Sequence, residues 1–182
     1  MRALVVYESM YGNTHRVAEV IGLGLRQFGE SNVVPVDEAT PELLDGVDLL
    51  VAGGPTHAHG MSRPTTRRSA AEAVSKPGTD LSLDPDWAGD GIREWLESLD
   101  EGGGTSSAAF DTRIGIPPML SGRASKGIAK KLRQHGFELV VEPESFLVTY
   151  DNHLKPGEEA HAYRWAEELA SALSRTHPSM PR

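Results

Sequence analysis

The sequence predicts an α/β fold in which a parallel sheet lies between two layers of helices. Residues 3–7 and 48–54 form nearly continuous apolar runs, which are typical of strands buried on both faces. Between these runs, apolar side chains recur every three or four residues from Val17 to Phe28, which is the spacing of an amphipathic helix. Because strands and helical segments alternate, we expect parallel strands joined by right-handed crossovers.

The length of 182 residues fits one domain, which we expect at residues 1–175, followed by a flexible tail at 176–182. Hydrophobic residues make up 38% of the chain and charged residues 24%, as in soluble globular proteins. No apolar stretch approaches the ~20 residues that cross a bilayer, and the first residues lack the apolar region of a signal peptide. We therefore expect a cytoplasmic protein without a membrane span.

The net charge and the missing cysteines exclude several kinds of chemistry. The formal charge of -8 argues against nucleic acid as the main partner, because binding to phosphate backbones needs a basic surface. This charge fits either steering toward a basic partner protein or simple solubility. Because the chain has no cysteine, disulfides, thiol nucleophiles and iron–sulfur ligation are excluded. Any redox chemistry must therefore come from a bound cofactor.

The remaining segments complete the alternation of strands and helices. Pro35 marks residues 32–36 as an edge strand, because proline cannot donate a hydrogen bond to a neighbouring strand. Residues 61–90 are less regular and form an insertion, with loops expected at 75–80 and 84–86. The other predicted elements are a helical turn at 41–44, helices at 65–74, 91–99, 121–136 and 158–174, a fourth strand at 106–110, and a fifth strand in two pieces at 137–141 and 145–149.

The loop after the first strand carries the most specific signal of a ligand site. In open parallel sheets, ligands bind beyond the carboxyl ends of the strands, where the strand order reverses. A glycine permits close backbone approach, hydroxyl groups stand at both ends, and free amides open the next helix, a combination that binds phosphate without lysine. The alternative is a plain helix start capped by Thr14. The loop consists of Ser9, Met10, Tyr11, Gly12, Asn13 and Thr14.

This loop resembles the phosphate loop of the flavodoxins, which reads hydroxyl residue, any residue, threonine, glycine, any residue, threonine. Tyr11 stands where that pattern most often has threonine. The order of elements is similar to that family over nearly the whole chain. The resemblance implies a flavodoxin-like three-layer sandwich, with a five-stranded parallel sheet in the order 2-1-3-4-5 and helices on both faces. It also implies flavin mononucleotide (FMN) as the cofactor.

The loop after the third strand resembles the flavodoxins as well, in which proline, threonine and an aromatic residue precede a glycine beside the flavin ring. The resemblance implies that Thr56 bonds the ribityl chain or ring edge and that His57 or His59 packs on the ring. The peptide between Gly60 and Met61 would face the reactive flavin nitrogen. A metal site or surface histidines without a role are the alternatives. The candidates here are Pro55, Thr56, His57, His59 and Gly60.

The loop after the fourth strand would supply the other wall of the flavin site. Phe110 belongs either to the core or to the stack on the ring. Asp111 and Thr112 would bond the pyrimidine edge of the flavin, and Arg113 would offset negative charge on the reduced ring. The alternative is an ion pair between Asp111 and Arg113 on a solvated loop.

Two basic clusters lie near these loops. The first fits either a solvated helix start or a grip on a nicotinamide cofactor's phosphate or an acidic partner. The second forms a stripe on the helix at 121–136 and is typical of a solvated face. The clusters consist of Arg63, Arg67 and Arg68, and of Arg123, Lys126, Lys130 and Arg133.

The resemblance implies a redox function. We expect an electron carrier or small flavin oxidoreductase that passes electrons between a reductase and an acceptor protein, with the carrier favoured over an enzyme. A flavin-dependent quinone reductase using NAD(P)H is the nearest alternative, and the insertion at 61–90 favours it. A flavin-free interaction module with the same fold is the third. The flavin itself carries the chemistry, so no catalytic acid, base, nucleophile or metal is demanded.

Overall fold

A computed structural model describes residues 1–75, 78–79, 81–85 and 87–176. The predicted loops at 75–80 and 84–86 are therefore described only in part, and their described residues belong to no helix or strand. The predicted tail lies outside the described residues from position 177 onward, while residue 176 still belongs to the last helix.

The predicted parallel sheet is confirmed, including its order. The strands are β1 Arg2–Tyr7, β2 Glu30–Pro35, β3 Leu49–His57, β4 Gly60–Met61, β5 Ser106–Ile114, β6 Glu138–Leu139 and β7 Glu144–Val148. Strand β1 pairs with β2 on one side and with β3 on the other, and β3 pairs in turn with β5. Two short strands, β6 and β7, pair with different parts of β5 and together form the fifth strand, broken as predicted.

Helices cover both faces of this sheet, as predicted. Two short 3-10 helices, Val36–Glu38 and Pro41–Leu44, precede β3. The α-helices are α1 Asn13–Leu25, α2 Pro64–Val74, α3 Ile92–Ser98, α4 Pro118–Ser121, α5 Ala124–Gln134 and α6 Glu158–Thr176. None of the helices within the described residues combines the length and the apolar character needed to cross a membrane.

The core consists of two apolar clusters, one on each face of the sheet. Because side chains alternate along a strand, Val5 packs on one face while Leu4 and Val6 pack on the other. The cluster around Val5 includes residues of α1 and α6, and the opposite cluster includes residues of α3 and α5. The edge position of Pro35 is confirmed, since β2 pairs only with β1 among the described strands.

Several element boundaries differ from the sequence prediction. Strand β3 continues to His57 and turns back through Ala58 and His59 into β4, which pairs with it antiparallel. Strand β5 likewise continues beyond the predicted end. The helix predicted at 121–136 is α5, which begins at Ala124 and ends at Gln134; a separate short helix, α4, precedes it and ends before Gly122, which has a φ of 76°. Phe28, which the apolar spacing places on the first helix, lies beyond the end of α1 and is 46% exposed, so this prediction is wrong.

Candidate functional site

A cleft of about 230 Å³ lies where β1, β3, β5 and β7 end. This is the edge at which open parallel sheets bind their ligands. The predicted site residues that line the cleft are Met10, Tyr11, Asn13, Thr14, Pro55, Thr56, His57, Thr112 and Arg113. The remaining lining residues are Ile114, Ser121, Val148, Thr149, Tyr150 and Asn152.

Helix α1 begins within the predicted first loop, directly after Gly12. Gly12 is the N-cap residue, with a left-handed φ of 84°, and its amide donates to the Ser9 hydroxyl at 3.1 Å. Thr14 therefore lies inside the first turn and does not cap the helix, contrary to the alternative interpretation. The first-turn amides of a helix have no acceptor within the helix and carry its positive dipole end. Because Asn13 and Thr14 line the cleft, an anion in the cleft meets this end of α1.

Two side chains predicted in the first loop connect it to strand β5 and to the loop after β7. The hydroxyl groups of Thr14 and Thr112 are 2.7 Å apart, and both residues are buried. The side-chain amide of Asn13 donates to the carbonyl oxygen of Asn152 at 2.7 Å. The first turn of α1 is therefore held by direct hydrogen bonds to the carboxyl end of β5 and to the loop after β7.

Tyr11, the departure from the flavodoxin pattern, is engaged with helix α2. Its hydroxyl donates to the carbonyl oxygen of Ala70 at 3.0 Å. Partial burial raises the pKa of the Tyr11 phenol above its ordinary value, so the group stays protonated as a donor. The ring contributes to the cleft wall, while its hydroxyl ties the first loop to the insertion.

The second loop is mostly an extension of β3. The Thr56 hydroxyl accepts a hydrogen bond from the Ala124 amide at 2.9 Å, at the start of α5. Burial, with a smaller contribution from the positive charge of Arg67, lowers the pKa of the His57 imidazole and favours its neutral form. His59 and Gly60 do not line the cleft, and His59 is exposed. Among the described residues, no group of three or more metal-ligating side chains supports the metal interpretation.

The four residues predicted after the fourth strand lie in different surroundings. Phe110 is fully buried and makes edge contacts with Phe146 and Trp165, which favours the core over the ring stack. The Asp111 carboxylate is also buried and accepts from the Ser125 amide at 2.7 Å, and burial raises its pKa. Neither residue lines the cleft, whereas Thr112 and Arg113 do.

Arg113 has polar contacts with its own loop. Its Nη1 donates to the carbonyl oxygens of Ile114 and Ile116 at 3.2 and 2.7 Å, and to the Ser121 hydroxyl at 3.2 Å. Its Nε is buried and has no hydrogen-bond partner among the residues the structure describes. Arg113 forms no ion pair with Asp111, so the solvated pair considered from the sequence is not formed. Arg113 therefore brings a positive charge to the cleft, while its Nη1 is occupied by neighbouring residues.

A fourth loop, which follows β7, was missed in the sequence. Thr149, Tyr150 and Asn152 line the cleft, and Tyr150 is 78% exposed. The signal was available, because the carboxyl end of the fifth strand belongs to the same edge of the sheet as the other three.

The basic clusters are divided between structural and exposed residues. Arg67 is buried, and its Nη1 donates to the Ser62 hydroxyl at 3.0 Å and to Glu94 at 3.1 Å, so it is not part of a solvated helix start. Arg123 donates to the Ser145 hydroxyl and the Pro143 carbonyl oxygen. The exposed members are Arg63, Arg68, Lys126, Lys130 and Arg133.

Comparison with known proteins gives matches in structure only. No model of a protein family and no curated protein sequence matches the chain. A flavodoxin from the domain Archaea is 20% identical, with 96% of this chain and 99% of that chain covered and a TM-score of 0.64. A WrbA-like flavodoxin from Agrobacterium tumefaciens is 21% identical, with 97% and 98% covered and a TM-score of 0.60.

A larger protein contains the same architecture as one of its parts. Rubredoxin oxygen:oxidoreductase from Desulfovibrio gigas is 16% identical, with 96% of this chain but only 36% of that chain covered and a TM-score of 0.59. Together with the sheet order and the position of the cleft, these likenesses identify the fold of this chain as that of the flavodoxin family.

Proposed function

We propose that this protein binds FMN in the cleft and works as an electron carrier or small flavin oxidoreductase. The observation that carries the proposal is the charge pattern of the cleft, in which the positive end of α1 and the Arg113 guanidinium line one cavity. FMN suits this pattern, because it has a phosphate dianion at one end and a planar ring at the other. Its ring supplies the electron chemistry, and the protein supplies binding and orientation.

The phosphate end of the proposed site consists of the first loop. Gly12 leaves the backbone open to close approach, and the first-turn amides at Asn13 and Thr14 provide donors for phosphate oxygens. The Ser9 hydroxyl accepts from Gly12 and thereby supports the shape of the loop. Tyr11 leaves these donors in place because its hydroxyl contacts Ala70. The donors therefore suit a phosphate monoester without a lysine.

The ring end of the proposed site lies between β3, β5 and the loop after β7. His57 offers a neutral, partly buried ring, and Tyr150 offers an exposed aromatic ring at the cleft. Both suit stacking on an isoalloxazine. Arg113 lines the cleft and brings the positive charge of its guanidinium to the ring end of the proposed site. The proposed contacts also include Pro55, Thr56 and Thr112. Four other predicted residues do not line the cleft and would act only through their neighbours, namely His59, Gly60, Phe110 and Asp111.

The experiment that tests the proposal is flavin binding by the purified chain. We expect a yellow preparation, or a colourless one that takes up one FMN on titration with a change in its visible spectrum. A second titration with riboflavin, which lacks the phosphate, should give weaker binding, because the first loop then has no anion to bind. A chain that binds neither flavin would contradict the proposal and favour the flavin-free interaction module.

A second candidate is a flavin-dependent reductase for a small acceptor such as a quinone, with NAD(P)H as the donor. The observation in its favour is apolar surface beside the cleft, because Met119 and Leu120 are 93% and 62% exposed next to the lining residue Ser121. The FMN-loaded protein would then oxidise NAD(P)H when a quinone is added. A carrier would instead be reduced only through a reductase protein.

A further inference from the structure

We propose that Asp84, a residue of the insertion, limits how strongly the cleft prefers phosphorylated flavin over unphosphorylated flavin. This inference rests on the proposed FMN site. It assigns to the insertion a role in ligand specificity, through a negative charge placed against the phosphate loop.

The insertion contacts the first loop directly at Asp84. The Asp84 amide donates to the carbonyl oxygen of Met10 at 2.9 Å. Its side chain is only 2% exposed, and Oδ2 lies 3.3 Å from Nδ1 of His15 in the first turn of α1. A Cβ atom placed on Gly12 would lie 3.8 Å from the same carboxylate oxygen. The carboxylate is therefore packed against the turn that presents the proposed phosphate donors.

The position of this carboxylate has an electrostatic consequence. A negative group at the N-terminal turn interacts favourably with the positive end of the helix. A phosphate dianion bound by the same turn interacts with that end too, but it also meets the charge of Asp84. Because Asp84 is buried, its charge is screened less than a surface charge would be. The affinity for a dianion should therefore be lower than the first-turn amides alone would give.

A purely structural role for Asp84 makes a different prediction. If the residue only fixes the shape of the loop through Met10 and His15, its replacement disturbs the phosphate donors and weakens FMN binding. Removal of a repelling charge instead strengthens FMN binding. FMN and riboflavin share the ring and the ribityl chain, so the ratio of their dissociation constants isolates the phosphate contribution, and the direction in which that ratio changes separates the two roles.

The test compares Asp84→Asn with the wild type and with Asp90→Asn, an exposed carboxylate of the same insertion. Asparagine retains an acceptor for His15 and removes the charge. We expect Asp84→Asn to bind FMN at least about threefold more tightly, because one charge acting on a dianion on the order of 10 Å away changes the affinity by about this factor even at the dielectric constant of water. Riboflavin binding should stay within about twofold of the wild type, and Asp90→Asn should leave both constants within the same margin.

Titration calorimetry at one pH and low salt measures all six constants, and Asp84→Ser replaces Asp84→Asn if the latter does not fold. A parallel change for both flavins, or weaker FMN binding with riboflavin unchanged, would overturn the inference while the proposed FMN site stands. If the wild type binds neither flavin, the proposed function fails and this inference fails with it.

Discussion

The hydroxyl groups of Thr14 and Thr112 lie 2.7 Å apart and connect the first turn of α1 to the carboxyl end of β5. Both residues are buried, so removal of one hydroxyl leaves the other without its partner. We expect Thr112→Val or Thr14→Val to lower the free energy of unfolding by about 1–3 kcal/mol each. The double variant should lose less than the sum, because it leaves no orphaned hydroxyl. Urea unfolding of the four proteins measures this coupling, and strictly additive losses would contradict it.

Tyr150 should matter for flavin binding and hardly at all for stability. It is 78% exposed, so Tyr150→Ala should change the free energy of unfolding by no more than about 0.5 kcal/mol. Loss of a stacked ring should weaken FMN binding by about threefold to tenfold. Leu23→Ala is the matched control, because Leu23 is 55% exposed and does not line the cleft. Equal FMN affinity of Tyr150→Ala and the wild type would show that Tyr150 does not touch the ring.

The sheet and its flanking helices could be predicted because their signals are local. The apolar runs of β1 and β3, and the spacing of Val17, Ile21 and Leu25 in α1, each indicate their own element. The hairpin of β3 and β4 had no such signal. Ala58 and His59 have φ values of 44° and 73°, and two-residue turns with positive φ are normally marked by glycine or asparagine.

The site was predicted less completely, because it depends on where each strand ends. The sequence prediction ended the fourth strand at Phe110, but β5 continues to Ile114. Within a strand, neighbouring side chains point to opposite faces, so Phe110 enters one apolar cluster and Asp111 faces α5 instead of the cleft. The loop of Tyr150 could be placed at this edge of the sheet from the end of the fifth strand, but its position beside the first loop depends on tertiary contacts such as that between Asn13 and Asn152.

Gly122 should tolerate no side chain, because it lies against the turn at His59. A Cβ atom there would come within 2.2 to 2.4 Å of the His59 backbone, and the φ of 76° disfavours other residues in any case. We expect Gly122→Ala to lower the free energy of unfolding by about 2 kcal/mol or more. Gly60→Ala is the control, since a Cβ atom there would meet no described neighbour within 4 Å and the φ of Gly60 is not in the left-handed region. Thermal unfolding compares the two, and equal midpoints would contradict the contact.

Glu8 should make stability depend on pH in a direction opposite to that of most carboxylates. Burial raises the pKa of the Glu8 carboxyl, and the Ser62 hydroxyl, the Ile92 amide and Arg67 oppose this only in part. The native protein then binds this proton more tightly than the unfolded chain, so the contribution of Glu8 to stability is lost as pH rises through the raised pKa. The Glu8→Gln variant has no carboxyl group at this position, so its free energy of unfolding does not contain this pH-dependent loss. Its free energy of unfolding relative to the wild type should therefore increase with pH, by about 1.4 kcal/mol per unit of raised pKa.

Urea unfolding from acidic to neutral pH measures this difference. Glu159→Gln is the opposite control, because a hydrogen bond from Arg16 lowers the pKa of the exposed Glu159 carboxyl. Its stability relative to the wild type should fall slightly with rising pH, since solvent screens exposed pairs. Parallel pH curves for Glu8→Gln and the wild type would contradict the prediction.

Arg113 should raise the reduction potential of bound FMN. Its guanidinium lines the cleft, and its buried Nε has no hydrogen-bond partner among the described residues. A positive charge beside the ring stabilises the reduced, more negative form over the oxidised form. Removing this charge in Arg113→Gln should lower the two-electron potential by about 30–60 mV.

The control variant is Arg113→Lys, which keeps the charge but loses the geometry of the contacts to Ile116 and Ser121, so it separates the effect of charge from that of loop shape. Spectroelectrochemical titration measures the three potentials. A lysine variant close to the wild type, with a lowered potential for glutamine, is the expected order; equal shifts in both variants would mean that Arg113 acts by holding the loop.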